Sequence, residues 1–140
     1  MKKAPQWDAL VRAAFLARRK AYAPYSGYAV GAALLASNGR IFRGCNVENA
    51  SYPVSICAER VALGAAIAAG CREFDGIVVA TRGPKAGTPC GLCRQALSEF
   101  APDLPVLLVT PEGDRAHWTL SQLLPGSFGP KDLKERTERS

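Results

Sequence analysis

The sequence predicts an α/β fold, a three-layer α/β/α sandwich with a mixed sheet of about five strands, on the strength of three observations. Two apolar runs, Gly76–Thr81 (GIVVAT) and Pro105–Thr110, show no polar alternation and read as strands covered on both faces. Stretches of helical length alternate with them, which favours a sheet with helices on each side. An Asn38-Gly39 pair between two further runs marks a hairpin, since both residues tolerate positive φ, and brings antiparallel pairing into the sheet.

Each element has its own signal. Trp7, Leu10, Val11, Ala14 and Phe15 recur at helical spacing and predict an amphipathic helix from residue 6 to about 20. Ala23-Pro24-Tyr25-Ser26-Gly27 breaks it. Ala29–Ala36 and Arg40–Val47 are the two hairpin strands, joined across Ser37-Asn38-Gly39. Residues 57–70 (CAERVALGAAIAAG) are alanine-rich and apolar nearly all round, a buried helix stopped at Gly70. After the strand at Gly76–Thr81, Pro89 precedes a second helix, Cys90 to about Phe100. The strand Pro105–Thr110, a turn at Pro111-Glu112-Gly113-Asp114 and a last strand at Ala116–Thr119 complete the sheet. The charged tail from Lys131 to Ser140 reads as a frayed or short helix. With no repeat, low-complexity segment or linker, residues 1–140 read as one domain of a length that buries a single core.

Composition narrows the functional classes. At 48% hydrophobic and 21% charged the chain is that of a soluble globular protein. It lacks a secretory h-region after MKKAPQWD, and its longest apolar run, Val61–Ala69, is too short to span a bilayer. A cytoplasmic protein without a membrane partner is expected. The net charge of +6 invites a nucleic-acid partner. Residues 1–20, however, hold Lys2, Lys3, Arg12, Arg18, Arg19 and Lys20 against Asp8 alone, six minus one, or +5 of the total. These cations lie along a helix without interleaved aromatics, the pattern of a solvated face and not of a stacking groove.

Five cysteines, an odd number, argue against a disulfide framework and for metal or catalysis. Two segments carry that chemistry: Cys57-Ala58-Glu59-Arg60 and Pro89-Cys90-Gly91-Leu92-Cys93-Arg94-Gln95. Cys90 and Cys93 sit one helical turn apart at a helix start, and Cys57 opens the other helix. Three thiolates then face one Zn²⁺ per chain and leave its fourth position open, as in a catalytic site. Two helix N-termini and the nearby Arg60 and Arg94 offset the net −1 of such a centre, with Arg60 hydrogen-bonding a thiolate. Glu59, two residues beyond Cys57, reaches the open position as an acid and base without being a ligand. C-x-E with P-C-x-x-C matches the Cys₃ form of the zinc nucleobase deaminase signature. A structural zinc would want a fourth ligand, and Cys71, at the far end of the Cys57 helix, lies about 20 Å away at 1.5 Å per residue. Cys45 reads as a buried inert thiol within a strand. His117, the only histidine, falls far downstream of both segments.

With these residues assembled, the chain resembles the small homotetrameric zinc-dependent cytidine deaminases from about Ala21 to Phe128. The motifs that carry the likeness are Tyr22-Ala23-Pro24-Tyr25-Ser26, Val30-Gly31-Ala32-Ala33-Leu34, Gly44-Cys45-Asn46-Val47-Glu48-Asn49-Ala50-Ser51-Tyr52, the two zinc segments and Leu123-Leu124-Pro125-Gly126-Ser127-Phe128. The resemblance implies substrate contacts from Tyr28, Asn46, Glu48 and Ala58, with Asn46 and Glu48 holding the ribose. Tyr28 stands where the family usually has phenylalanine against the pyrimidine. Phe128 implies a contact to a neighbouring subunit's pocket, and Tyr52 a place at the subunit boundary. The implied activity is hydrolysis of free cytidine and deoxycytidine to uridine and deoxyuridine plus ammonia, in pyrimidine salvage. In it, zinc-activated water attacks C4 while Glu59 shuttles protons through N3 to the amino group.

Three alternatives compete: a blasticidin S deaminase-like enzyme, a nucleic-acid-editing deaminase and a non-catalytic zinc module. The Asn46–Tyr52 segment favours a nucleoside over the first. Glu48 at a 3′-hydroxyl conflicts with the phosphodiester of the second, and an open zinc position disfavours the third.

Overall fold

The computed structural model describes residues 5–133. Its elements run α1 (Trp7–Arg18), β1 (Gly31–Ala36), β2 (Ile41–Cys45), α2 (Ala58–Ala68), β3 (Phe74–Ala80), α3 (Gly91–Ser98), β4 (Pro105–Val109), β5 (Arg115–Thr119) and α4 (Leu120–Leu123). The five strands form one sheet in the order β2-β1-β3-β4-β5. Only β3 and β4 pair in parallel; the other neighbours are antiparallel, so the sheet is mixed as expected.

Side chains on a strand alternate faces, and here that divides the core in two. Ala33, Leu35, Val78, Ala80, Leu107 and Val109 face α1, which buries Leu10, Val11 and Ala14 against them. The intervening Ala32, Leu34, Ile77, Val79, Val106 and Leu108 face α2 and α3, through Ala58, Ala62, Ala66 and Leu97. Polar alternation is missing from β3 and β4 because both faces are covered. The three-layer sandwich follows.

Two glycines set the distance between layers. A Cβ on Gly31 would collide with the Ala14 carbonyl and the Arg18 backbone of α1. One on Gly44 would collide with the Ala58 carbonyl and the Ala62 amide of α2. The first turn of α2 therefore rests directly on β2.

Several boundaries differ from the sequence reading. β1 begins at Gly31, two residues later than expected, because the Asn46 side chain takes over the pairing of the segment before it. Asn46 Oδ1 accepts the Val30 amide at 2.8 Å, and Nδ2 donates to the Tyr28 carbonyl at 2.8 Å. β2 stops at Cys45, and Val47 makes only isolated bridges, to Tyr22 and Ile56. Helix α2 is not buried all round: Gly64, Ala65 and Ala68 face solvent, since an outer layer has only one sheet face to pack on. Its last residue is Ala68, and Gly70, whose φ is +89°, turns the chain away two residues later. A 3₁₀ turn at Tyr52–Val54 and the short α4 were absent from the sequence reading. Residues 130–133 are helical, and the rest of the expected tail helix, 134–140, lies outside the described residues.

Candidate active site

Helices α2 and α3 both start at one end of the sheet, and each is capped by a cysteine. Cys57 and Cys90 are the extended residues just before Ala58 and Gly91, so each thiol sits at a positive helix terminus. Cys93 follows within the first turn of α3 and is buried. Their three sulfurs lie within 4.8 Å of one another, with Cys57 Sγ to Cys90 Sγ at 3.7 Å and Cys90 Sγ to Cys93 Sγ at 3.5 Å. No other such group of potential ligands occurs among the described residues. Cys45 and Cys71 are outside it, so no fourth sulfur closes the centre. Cys45 is half-buried at the end of β2, not fully buried as expected, and Cys71 is buried near Asn38.

The cluster is short of positive charge. A hydrogen bond from Cys93 brings the Cys57 thiol down to about 5, and the same bond holds the Cys93 thiol well above its usual range. Arg60 supplies part of the compensation, donating from Nη2 to Cys57 Sγ at 3.7 Å. Its buried Nε has no hydrogen-bond partner among the described residues.

Glu59 lies on the first turn of α2, 4% exposed, and burial lifts its carboxyl to about 7. It borders a cavity of about 290 Å³ together with Cys57, Ala58, Cys90, Tyr28, Asn46 and Glu48. Larger clefts elsewhere hold neither Glu59 nor the three sulfurs. Glu48 is anchored to the preceding turn: its Oε1 accepts the amides of Tyr25 and Ser26 at 3.0 and 3.1 Å, and Oε2 accepts the Ser26 hydroxyl. These bonds, the hydroxyl first, hold its carboxyl below the ordinary carboxylate range.

Other sequence-predicted residues fall away from the cavity. Phe128 is 52% exposed, and its carbonyl accepts Gln95 Nε2 at 2.9 Å. Tyr52 is 70% exposed, with its ring 5.7 Å from that of Tyr25. Arg94 touches none of the sulfurs through the bonds it makes. It donates to the Pro89 carbonyl (2.7 Å), the Leu123 carbonyl (2.7 Å) and Thr88 Oγ1 (3.0 Å), bracing the loop that delivers Cys90. His117 meets the Trp7 ring edge-on at 5.5 Å, on the α1 side.

Sequence reasoning missed Ser26, Thr81, Gly87 and Thr88, which also line the cavity. Thr81 had a signal, a polar residue ending an apolar strand. Its buried Oγ1 accepts the Gly87 amide at 3.2 Å. The other three carried no chemical signal of their own: Ser26 meets Glu48 across 22 residues, and Gly87 and Thr88 lie in a loop whose path the local sequence does not set.

A profile described as the cytidine and deoxycytidylate deaminase zinc-binding region matches residues 5–108. The chain belongs to this family. It is 45% identical over 126 residues to a cytidine deaminase of Sporosarcina psychrophila, covering 88% of this chain and 91% of that one. The crystal structure of a cytidine deaminase from Burkholderia pseudomallei superposes with a TM-score of 0.85 at 47% identity, covering 89% of this chain and 100% of that one. A blasticidin-S deaminase of Bacillus cereus is 35% identical over 105 residues, covering 69% of this chain and 74% of that one.

The donor set fits the family's zinc. Four ligands about 2.3 Å from zinc in a tetrahedron stand about 3.8 Å apart, close to the two sulfur separations of 3.5 and 3.7 Å. A dication would also favour the thiolate of Cys93, which the cluster alone resists. Three protein ligands leave the fourth position free, the pattern of catalytic zinc.

Proposed function

We propose that this chain hydrolyses the exocyclic amino group of free cytidine and deoxycytidine, releasing ammonia and leaving uridine or deoxyuridine. The observation that carries the reading is Glu59, a buried carboxylate bordering the same cavity as Cys57 and Cys90. Cys57, Cys90 and Cys93 hold the zinc, which when bound supplies a Lewis acid that lowers the pKa of water at the open position. Glu59 takes a proton from the attacking water and gives it to ring N3. It then carries a proton to the amino group, which leaves as ammonia. A carboxyl near neutrality suits both directions of transfer.

Tyr28 forms the wall against the pyrimidine, and Asn46 and Glu48 hold the ribose beside Ala58. Both side chains are pinned by backbone bonds, so they meet the sugar already oriented. Arg60 tempers the charge of the thiolates. Phe128, exposed on its own subunit, completes a neighbouring subunit's pocket, with Tyr52 at the boundary, so the working form is a homotetramer. Free thiols at all five cysteines suit a reducing cytoplasm, where the enzyme serves pyrimidine salvage.

Following absorbance and ammonia with cytidine, deoxycytidine, blasticidin S and a cytosine-containing oligonucleotide separates the readings. Turnover of the two nucleosides is expected. A preference for blasticidin S, which the lower identity and coverage of that relative disfavour, would overturn it, as would a preference for the oligonucleotide.

A further inference from the structure

Tyr28 borders the cavity, and two residues with no part in the chemistry bear on its ring. The Arg82 guanidinium carbon lies over the ring, 5.0 Å from its centroid. Arg82 does not line the cavity, so it occupies one face of a ring whose residue borders the site. On the other element, Gly87 lies against the phenol oxygen. A Cβ at that position would stand 3.1 Å from Tyr28 Oη, tighter than ordinary contact, while the next atoms, on Thr81, would be 3.8 Å away. The backbone of Gly87 is not left-handed, so the conformation itself admits alanine. What glycine provides there is room for the hydroxyl. The Gly87 amide, held by Thr81 Oγ1 at 3.2 Å, fixes that notch in place.

We infer that Arg82 and Gly87 are positioning residues that set the plane of the Tyr28 ring, and through it the fit of the substrate base. A planar cation on the ring face is attracted by its quadrupole and restrains the ring's rotation. A wall already in place spares the ordering that binding would otherwise impose, so the effect belongs in KM and not in kcat. Glu59 and the three cysteines are untouched by it.

The inference rests on the proposed nucleoside reading, and the experiment separates the two. KM and kcat for cytidine, with bound zinc on the same samples, are measured for the full chain in two sets of variants. The first set is Tyr28→Leu, Arg82→Ala and their combination. Arg82→Ala is expected to raise KM about two- to five-fold, with kcat and zinc unchanged, and to add nothing once Tyr28 is leucine. The second set is Gly87→Ala, Tyr28→Phe and their combination. Gly87→Ala is expected to raise KM, and the double variant to return to the Tyr28→Phe value because the crowded oxygen is gone. Equal Arg82→Ala effects with Tyr28 and with leucine, or no rescue of Gly87→Ala by phenylalanine, would overturn the inference alone. An unchanged KM in Tyr28→Leu would overturn the underlying reading of Tyr28 as the base-facing wall.

Discussion

At the scale of single residues, the site sets a carboxyl that burial lifts to about 7 beside a thiol, Cys57, that the hydrogen bond from Cys93 brings down to about 5. Glu59→Gln keeps the shape and removes the proton carrier. It is expected to retain zinc while kcat falls by about 10²–10⁴, the usual worth of a positioned acid and base. Metal analysis beside turnover checks this, and wild-type turnover in that variant would remove Glu59 from the mechanism. The cysteines and Glu59 were legible because their spacing is local: C-x-E and C-x-x-C each fit within one helix turn. Ser26, Arg82, Gly87 and the three bonds of Arg94 were not legible. Most depend on a partner brought near by folding, such as Glu48 for Ser26 across 22 residues and Leu123 for Arg94 across 29, while the other two Arg94 bonds depend on the path of the loop at residues 88–89.

At the scale of elements, what places the chemistry is two helix starts seated on a sheet. Strands β3 and β4 were readable from unbroken apolar runs, β1 and β2 from the Asn38-Gly39 turn between them, and α1 and α2 from periodicity and alanine content. The onset of β1 was not, because the Asn46 carboxamide takes the Val30 amide and the Tyr28 carbonyl where a strand would otherwise pair. The exposure of α2 was also hidden, since a run of alanines reads as apolar all round whichever face it buries. Gly44 is the sharpest point of this scale. A methyl group there would push the first turn of α2 off β2 and carry Cys57 and Glu59 with it. Gly44→Ala is expected to cost about 1–3 kcal/mol in denaturant unfolding and to weaken zinc binding as well. Stability lost without any change in zinc affinity would mean that α2 does not seat the metal ligands through this contact.

At the scale of the whole molecule, the cavity of one chain holds Glu59 but not Phe128, which stands exposed elsewhere. A homotetramer in which Phe128 serves its neighbour predicts complementation. Phe128→Ala should raise KM, and Glu59→Gln should be nearly inactive. Subunits of the two mixed and reassembled should form sites with an intact Glu59 and a neighbour's Phe128, drawing KM back toward the wild-type value. No change on mixing would assign Phe128 a role within its own chain. The three-layer fold itself was legible because alternating apolar strands and helices leave few other ways to cover a sheet on both faces.

The central claim is that three thiolates and Glu59 form a zinc site that deaminates cytidine. It is tested most directly by measuring zinc and ammonia on one sample before chelation, after it, and after zinc is returned. One zinc per chain is expected, with ammonia released in step with uridine, lost on chelation and restored with the metal. One zinc per chain without ammonia from cytidine, or release that persists after the metal is gone, would contradict it.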